Sequence, residues 1–192
     1  MQKKGFTLIE LLVVIAILAI LSVVVILTIN PAQMLRQARD SQRVSDMATL
    51  KSAISLYLVD QTSPIMGTST WCYMSSATAA TTTAGCGGRM STSNTTNVTT
   101  SAANAASTTG GGWIPINFGA ISSGSPVGSL PIDPVNNATY FYSYAVNSTT
   151  LQFEIDADME STRYAASGTS DVESTDGGSS SSVYETGSNL GL

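Results

Sequence analysis

The feature that most constrains this chain is a long apolar run near its N-terminus. From Leu11 to Ile29 there are nineteen residues, and only Ser22 and Thr28 are polar. A helix needs about 20 apolar residues to cross the hydrocarbon core of a bilayer, so we predict a hydrophobic membrane-spanning and assembly helix over residues 6–30. A secretory signal peptide is the competing interpretation. It would have a shorter apolar run followed by a small-residue cleavage site, whereas this run continues into charged helical sequence.

The charges around this run predict its orientation and a processing event. Lys3 and Lys4 precede it and mark the cytoplasmic end of the helix, so the downstream chain is expected outside. Glu10 lies within the segment, where a charged side chain is costly and usually has a partner. A cut after Gly5 would give Phe6 a free α-amino group, which a neighbouring copy shifted along the helix axis would present to Glu10. Such an ion pair would fix register more than it would add stability.

The stretch 3–10, KKGFTLIE, resembles the prepilin peptidase motif of type IV pilins and of the pseudopilins of type II secretion. The resemblance implies that residues 1–5 are a leader peptide, removed after Gly5. It further implies that Phe6 becomes the N-methylated terminus and that Glu10 is the carboxylate required for assembly.

The resemblance also implies the fold class, which is α+β. In the pilin fold a long N-terminal helix packs on a small antiparallel β-sheet with a long variable loop. Residues 31–60 are expected to form the amphipathic second part of that helix, because apolar residues recur on one arc at helical spacing. Members of the best-known pilin subclass have a proline inside the apolar run, whereas here Pro31 follows it, which predicts a kink or a short extended stretch near 27–31. The arc consists of Val44, Met47, Leu50, Ile54, Tyr57 and Leu58.

Residues 61–125 are predicted to be a variable, Ser/Thr-rich surface loop. The segment up to about residue 112 has few large apolar side chains to offset the entropy of ordering. Cys72 and Cys86 are the only cysteines and would pair as a disulfide in an oxidising extracytoplasmic space, with two unrelated buried thiols as the alternative. Because histidine is absent, these two cysteines alone cannot build a zinc site.

Residues 126–192 are predicted to contain an antiparallel sheet and the C-terminal region. Apolar and polar residues alternate over 140–145 and again over 151–157, with a short polar turn between, which predicts a hairpin. The apolar face of the second run would pack on the helix, and a third strand would include 182–186.

A calcium site is the one cofactor that the resemblance suggests. Major pseudopilins hold a calcium ion near the segment that follows the variable loop, and calcium takes six to eight oxygen ligands. Asp133, Asp156 and Asp158 are candidate ligands by proximity alone, with ordinary surface acids as the alternative. The pseudopilin pattern has a tryptophan and a glycine where this chain has Val135 and Asn136.

Charge and composition narrow the function classes. The net charge is −5, and residues 61–192 contain only Arg89 and Arg163 as cations, which disfavours nucleic acid as a direct partner. The basic cluster between Arg36 and Arg43 is interpreted as a solvated helix face above a membrane. Without histidine there is no Ser-His-Asp or Cys-His pair, so we predict that the chain is not an enzyme and keep a membrane-anchored ectodomain enzyme as a remote alternative.

The resemblance therefore implies the major structural subunit of a type IV pilus-like extracellular filament, serving adhesion, twitching motility or DNA uptake. Its partners would be further copies of itself in a helical homopolymer, the prepilin peptidase, the inner-membrane pilus assembly platform and, before assembly, the membrane. The precursor would cross the inner membrane once with a cytoplasmic N-terminus. The alternative is a type II secretion major pseudopilin, although a long Thr/Ser loop favours a surface-displayed pilin.

Overall fold

A computed structural model of the chain describes residues 5–79, 83–90 and 93–192, without the side chain of Leu27. Lys3 and Lys4 lie outside the described residues, as does most of the expected leader. The contacts within the chain divide it into two compact units, residues 1–36 and 37–192.

The first unit is dominated by helix α1, Leu8–Ile29, which has 22 residues. Its interior is almost wholly apolar, and its two hydroxyl side chains are satisfied within the helix. The Ser22 hydroxyl donates to the Leu18 carbonyl at 2.7 Å, and the Thr28 hydroxyl donates to the Val25 carbonyl at 2.9 Å. Polar side chains that bond back to the preceding turn leave no free group to face an apolar surrounding.

The helical path is interrupted at one residue. Asn30 has φ 46° and ψ 75°, in the left-handed region, and helix α2, Pro31–Asp60, begins directly after it. Proline suits a first helical position because its missing N–H has no intrahelical acceptor there. The Asn30 carbonyl accepts from the backbone N–H of Gln33 at 3.0 Å. The break predicted for 27–31 is thus a single left-handed residue.

Helix α2 carries the predicted apolar arc. Met47, Leu50, Ile54 and Tyr57 are buried in the main core, and Leu58 packs against it. Spacings of three and four residues place these side chains on one face of a helix. The arc prediction is therefore confirmed at these positions, and it anchors the head, which we define as residues 37–192.

Five strands form one sheet in the order β2-β1-β3-β4-β5. They are β1 (Trp71–Met74), β2 (Thr96–Thr99), β3 (Tyr142–Asn147), β4 (Gln152–Ala157) and β5 (Tyr184–Gly187). The α+β class is confirmed. The expectation of an antiparallel sheet is wrong at one edge, because β1 and β2 pair in parallel while the other neighbours are antiparallel.

The predicted hairpin is β3 with β4, in which Tyr144 lies opposite Ile155. Phe153 and Ile155 point into the main core together with the apolar residues of α2. Leu151 was expected on the same face, but it lies in the turn with φ 55° and is 37 % exposed. The predicted third strand is β5.

The segment predicted as a surface loop, 61–125, differs most from expectation. It supplies β1 and β2, and its few large apolar residues enter the core. Trp113 is fully buried, and its indole N–H donates to the Pro131 carbonyl at 2.8 Å. The low average hydrophobicity of the segment does not predict this burial. A few aromatic side chains can each bury a large area even where most of their neighbours are polar. The other buried residues of this segment in the main core are Met66, Tyr73, Ile114, Ile116, Phe118 and Ile121.

The interpretation of the Arg36–Arg43 segment as a solvated face is wrong at its C-terminal end. Asp40 and Arg43 are both fully buried. Arg43 forms a fork with Asp133, with Nε–Oδ2 at 2.7 Å and Nη2–Oδ1 at 2.9 Å. It also bonds Asp40 at 2.7 Å and Glu160 at 2.7 Å. One guanidinium therefore joins α2 to two segments that are remote in sequence.

Hydrogen bonds complete this ion-pair network, which we define as Asp40, Arg43, Asp133 and Glu160. The Asp40 carboxylate accepts from the backbone N–H groups of Glu160 at 2.9 Å and Ser161 at 2.8 Å. Burial lowers the pKa of Arg43, but the hydrogen bonds that its guanidinium donates to the partner carboxylates, together with their negative charge, outweigh burial and raise the pKa overall. A buried charge is stable only when its partners are complete, as they are here.

Candidate processing and assembly site

The expected cleavage position lies directly before α1 and is open to another protein. Gly5 and Phe6 have no regular secondary structure, and Phe6 is 83 % exposed. Among the described residues, nothing lies within 4 Å of a Cβ built on Gly5. Packing within the chain therefore does not require glycine at this position, so any such requirement comes from a molecule that binds here.

Thr7 begins α1 and holds Glu10 in a capping box. The Thr7 side chain accepts from the Glu10 backbone N–H at 3.3 Å. The Glu10 carboxylate in turn accepts from the Thr7 N–H at 2.8 Å and from its hydroxyl at 2.7 Å. This reciprocal arrangement satisfies two helix-terminal donors, and it places the carboxylate one turn from Phe6.

The surface that follows Glu10 is apolar and uncovered. The described large apolar side chains of α1 are 47 % to 83 % exposed. Among the described residues, one helix segment, Leu8–Ile26, is long and apolar enough to cross a membrane. An exposed apolar surface of this extent marks contact with lipid or protein, and it fits a membrane-anchored precursor.

The three candidate calcium ligands, Asp133, Asp156 and Asp158, lie in three different environments and do not form one site. Asp133 belongs to the ion-pair network described above, and Asp158 pairs with Arg89. Asp156 instead lies beside two other buried carboxylates, those of Glu154 and Glu185. Burial raises the pKa of Asp158, against the opposing effect of Arg89.

Cys72 and Cys86 are joined by a disulfide, with their Cα atoms 5.6 Å apart. Cys72 is in β1, and Cys86 lies in a short turn, Ala84–Gly88, where its φ is 53°. Both cysteines are fully buried. The bond ties a turn with unfavourable backbone geometry to β1, the strand next to one edge of the sheet.

Two groups of buried charges were not foreseen as functional or structural centres. One is the ion-pair network, and the other is the trio Glu154, Asp156 and Glu185. The alternation along β4 indicated that Glu154 and Asp156 share a face, but an alternating strand predicts a solvent face for its polar residues. Here the loop before β5 covers that face, and sequence periodicity carries no signal for such a cover.

Comparison with known proteins gives one match. Residues 1–26 match the family described as the prokaryotic N-terminal methylation motif. No curated protein and no solved structure matches the chain. The matched segment includes Gly5, Phe6, the capping box and most of α1. Residues 1–26 thus carry the prepilin signal that type IV pilins and pseudopilins share.

Proposed function

We propose that this chain is the major structural subunit of a type IV pilus-like extracellular filament. Prepilin peptidase cleaves it after Gly5, Phe6 is N-methylated, and the mature subunit polymerises through α1. The observation that carries the proposal is the pairing of one carboxylate, Glu10, with an otherwise apolar and exposed helix that starts beside the cleavage position.

The apolar surface of α1 supports both stages of this life cycle. In the membrane, lipid covers side chains that are half exposed or more in the isolated subunit. Extraction into water would expose all of that surface at once, which the hydrophobic effect opposes. Copies of α1 packed together would replace lipid with protein, so leaving the membrane and entering the filament are coupled.

Glu10 sets the register of that packing. Cleavage gives Phe6 an α-ammonium group, and N-methylation leaves this amine basic. An incoming subunit displaced along the axis places its Phe6 ammonium against the Glu10 carboxylate of its neighbour. In an apolar bundle a carboxylate is kept only where a cation meets it, and a buried pair of this kind contributes specificity more than net stability.

The head supports an extracytoplasmic location for residues 37–192. It contains a disulfide, and disulfides persist in oxidising compartments. Its charge is strongly acidic, which favours solubility of a displayed surface. The inner-membrane pilus assembly platform would act on the precursor before the head reaches its final position.

The test is a Glu10→Ala variant expressed with the native assembly machinery. We expect normal cleavage and normal membrane insertion, because Gly5, Phe6 and the apolar run are intact, but no filaments. Electron microscopy of sheared fractions gives the filament yield, and membrane fractionation gives insertion. The control is Asp171→Asn, which removes the charge of a half-buried carboxylate in the head, keeps an acceptor oxygen for its loop and should leave filament yield unchanged. Normal filaments from Glu10→Ala would refute the proposed role of Glu10.

Intact mass of the filament protein tests processing separately. The expected mass is that of residues 6–192 plus one methyl group, less the two hydrogens of the disulfide. Residues 1–5 still attached in assembled filaments would contradict cleavage before assembly, because the Phe6 amine would then not exist.

The pseudopilin of a type II secretion system is the second candidate, since the matched motif is shared by both classes. A pseudopilin forms a short periplasmic fibre instead of a surface filament. An epitope placed in the exposed segment 122–125 distinguishes them by immunolabelling of intact cells. Labelled surface fibres support the pilus, and label seen only after the outer envelope is opened supports the pseudopilus.

A further inference from the structure

Three carboxylates meet on the face of the sheet that points away from α2. Glu154 and Asp156 lie on β4, and Glu185 lies on β5 directly opposite Asp156. One oxygen from each lies within 4.8 Å of the others, and the three residues are 0 %, 0 % and 1 % exposed. We call Glu154, Asp156 and Glu185 the carboxylate cluster. Three ionised carboxylates that are this close together and shielded from solvent repel one another strongly unless a positive charge lies between them.

The centre of the cluster lacks hydrogen-bond donors. Among the described residues, neither carboxylate oxygen of Asp156 has a hydrogen-bond partner, and neither does Oε1 of Glu154. The hydroxyl of Ser143 is also buried without a partner, and it lies on β3 directly opposite Asp156. Buried oxygens left without a donor are expensive, so four such oxygens in one place indicate an occupant.

The outer oxygens of the cluster are held firmly by contrast. Glu154 Oε2 accepts from the backbone N–H of Leu192 at 2.7 Å. Glu185 accepts from the N–H groups of Ser179 at 3.1 Å and Ser180 at 2.8 Å. A Cβ at Gly178 would overlap the Glu185 carboxylate, so this loop lies directly on it. Both oxygens of Glu185 thus have a protein donor, and each keeps a second lone pair for a cation. Hydrogen bonds that orient ligand carboxylates from outside are a feature of metal sites.

The nearest protein cation does not fill the centre. Arg89 influences Asp156 electrostatically, but its terminal nitrogens bond elsewhere. Nη1 donates to the Phe141 carbonyl at 2.5 Å, and Nη2 donates to the Thr139 carbonyl and pairs with Asp158. Its guanidinium also lies over the Phe141 ring at 3.6 Å. Arg89 is thus committed to the other end of the strand.

We propose that the carboxylate cluster binds a calcium ion, with the Ser143 hydroxyl as a neutral ligand. The donor set contains only oxygen, which suits a hard divalent cation, and several carboxylate oxygens are available to reach the six to eight ligands that calcium takes. Magnesium demands strict octahedral geometry and keeps several waters, which a fully buried cluster excludes. The set differs from the candidates named from resemblance, because Asp133 and Asp158 are paired with arginines.

An ion at this position would join three strands and the covering loop. Ser143 is on β3, Asp156 on β4 and Glu185 on β5, and Ser179 and Ser180 are bonded to Glu185. Calcium would therefore stabilise the half of the sheet that lies farthest from the disulfide. This inference concerns the head alone and stands whether or not the subunit forms a pilus.

The test uses the full chain in detergent micelles, stripped of metal with a chelator and titrated with calcium chloride by calorimetry. We expect one ion per chain and a higher melting temperature with calcium, since binding to the native state alone stabilises it. Asp156→Asn and Glu185→Gln should each weaken calcium binding by more than about tenfold, as loss of a charged ligand does. The control Asp171→Asn, which changes a half-buried carboxylate outside the cluster, should bind calcium like the parent chain.

If Asp156→Asn or Glu185→Gln fails to fold, Ser143→Ala provides a second test of the site. It removes a neutral ligand without adding bulk, and it should weaken calcium binding by a smaller factor. Absence of calcium binding by the full chain overturns the proposal, because protons would then neutralise the cluster. Binding lost in Asp158→Asn but kept in Asp156→Asn would place the ion elsewhere, and an equal thermal response to magnesium chloride would refute the assignment to calcium.

Discussion

Helix α1 and the head differ in which side chains are exposed and in how their charged groups are bonded. In α1 the apolar side chains are exposed and the one carboxylate is bonded to a residue three positions away. In the head most of the large apolar side chains are buried, and so are an arginine and several carboxylates, some of them bonded across long sequence distances. Apart from the carboxylate cluster, the head satisfies its buried groups internally, whereas α1 leaves its apolar surface to be covered by other molecules. A region's role in assembly is thus visible in what it leaves uncovered.

The largest expected effect is the loss of the buried arginine. Arg43→Met leaves Asp40 and Asp133 without their cation, while Glu160 keeps its pair with Arg39. Breaking a buried ion pair costs about 3–5 kcal/mol of unfolding free energy. Urea unfolding of the full chain in detergent, followed by the fluorescence of buried Trp113, measures it. The exposed Arg36→Met is the control and should stay within about 0.5 kcal/mol of the parent. An Arg43→Met variant as stable as the parent would show that the network is dispensable.

A matched pair of leucines tests the contrast between the two regions directly. Leu50→Ala removes a fully buried side chain and should cost about 2–5 kcal/mol in the unfolding of the head. Leu18→Ala removes a side chain that is 56 % exposed and should leave that unfolding unchanged, since the helix has no internal partner there. In filaments we expect the Leu18→Ala variant to disassemble at lower detergent concentration than the parent. Equal destabilisation of the head by both substitutions would break the comparison.

Opening the disulfide should have a somewhat smaller effect. Cys72 and Cys86 are separated by 14 residues in sequence, and a bond that closes a loop of this length stabilises a fold by about 3 kcal/mol in the chain-entropy account. Reduction should lower the urea midpoint of the parent by the corresponding amount. A Cys72→Ala, Cys86→Ala double variant should show the lower midpoint and no response to reductant. A parent chain insensitive to complete reduction would contradict this expectation.

The smallest effect is a pH dependence in the calcium-free chain. Burial, and then the neighbouring Glu185, raises the pKa of Glu154 from its ordinary 4.5 to about 8, and burial followed by Glu154 and Glu185 raises that of Asp156. Between the unfolded-state and folded-state pKa values of Glu154, the folded state therefore binds more protons than the unfolded state. The free energy of unfolding thus falls as the pH rises from about 4.5 to 8. Asp176, on the covering loop, acts in the same direction, and the positive charge of Arg89 opposes it.

Melting temperatures of the chelator-treated chain across this pH range check the sign. They should decrease towards pH 8, and Glu154→Gln should flatten the profile because it removes one titrating group. Saturating calcium should flatten it as well, since an ion replaces the protons. A melting temperature that increases over the same pH interval would show that the pKa values of the cluster carboxyl groups are not raised in the calcium-free folded chain.

Much of this architecture could be predicted from the sequence, and the failures share a cause. The apolar run, the α2 arc and the β3–β4 hairpin follow from local periodicity, which requires only neighbouring residues. The prepilin motif is equally local, since it occupies residues 3–10. The parallel pairing of β1 with β2 depends on which strands meet across the chain, and periodicity does not report that.

The buried charges escaped prediction for the same reason. Arg43 and Asp40 look like a solvated face when only the helix is considered, because their partners Asp133 and Glu160 are about a hundred residues away. Asp156 looks like a solvent-facing strand residue until the loop at Ser179 covers it. Composition likewise concealed Met66 and Tyr73, which are buried in the main core although they lie in a Ser/Thr-rich segment.

The capping box at the start of α1 bears on how permanent a polymer of this subunit would be. Thr7 already provides two hydrogen-bond donors to the Glu10 carboxylate in the free chain. An incoming ammonium group would therefore replace these donors and would not be the first partner of an unpaired carboxylate. Such an exchange has a small driving force in either direction. A subunit released from the proposed fibre would restore its own cap and return to the bilayer, so that growth and shortening of such a fibre would be two directions of one reversible reaction.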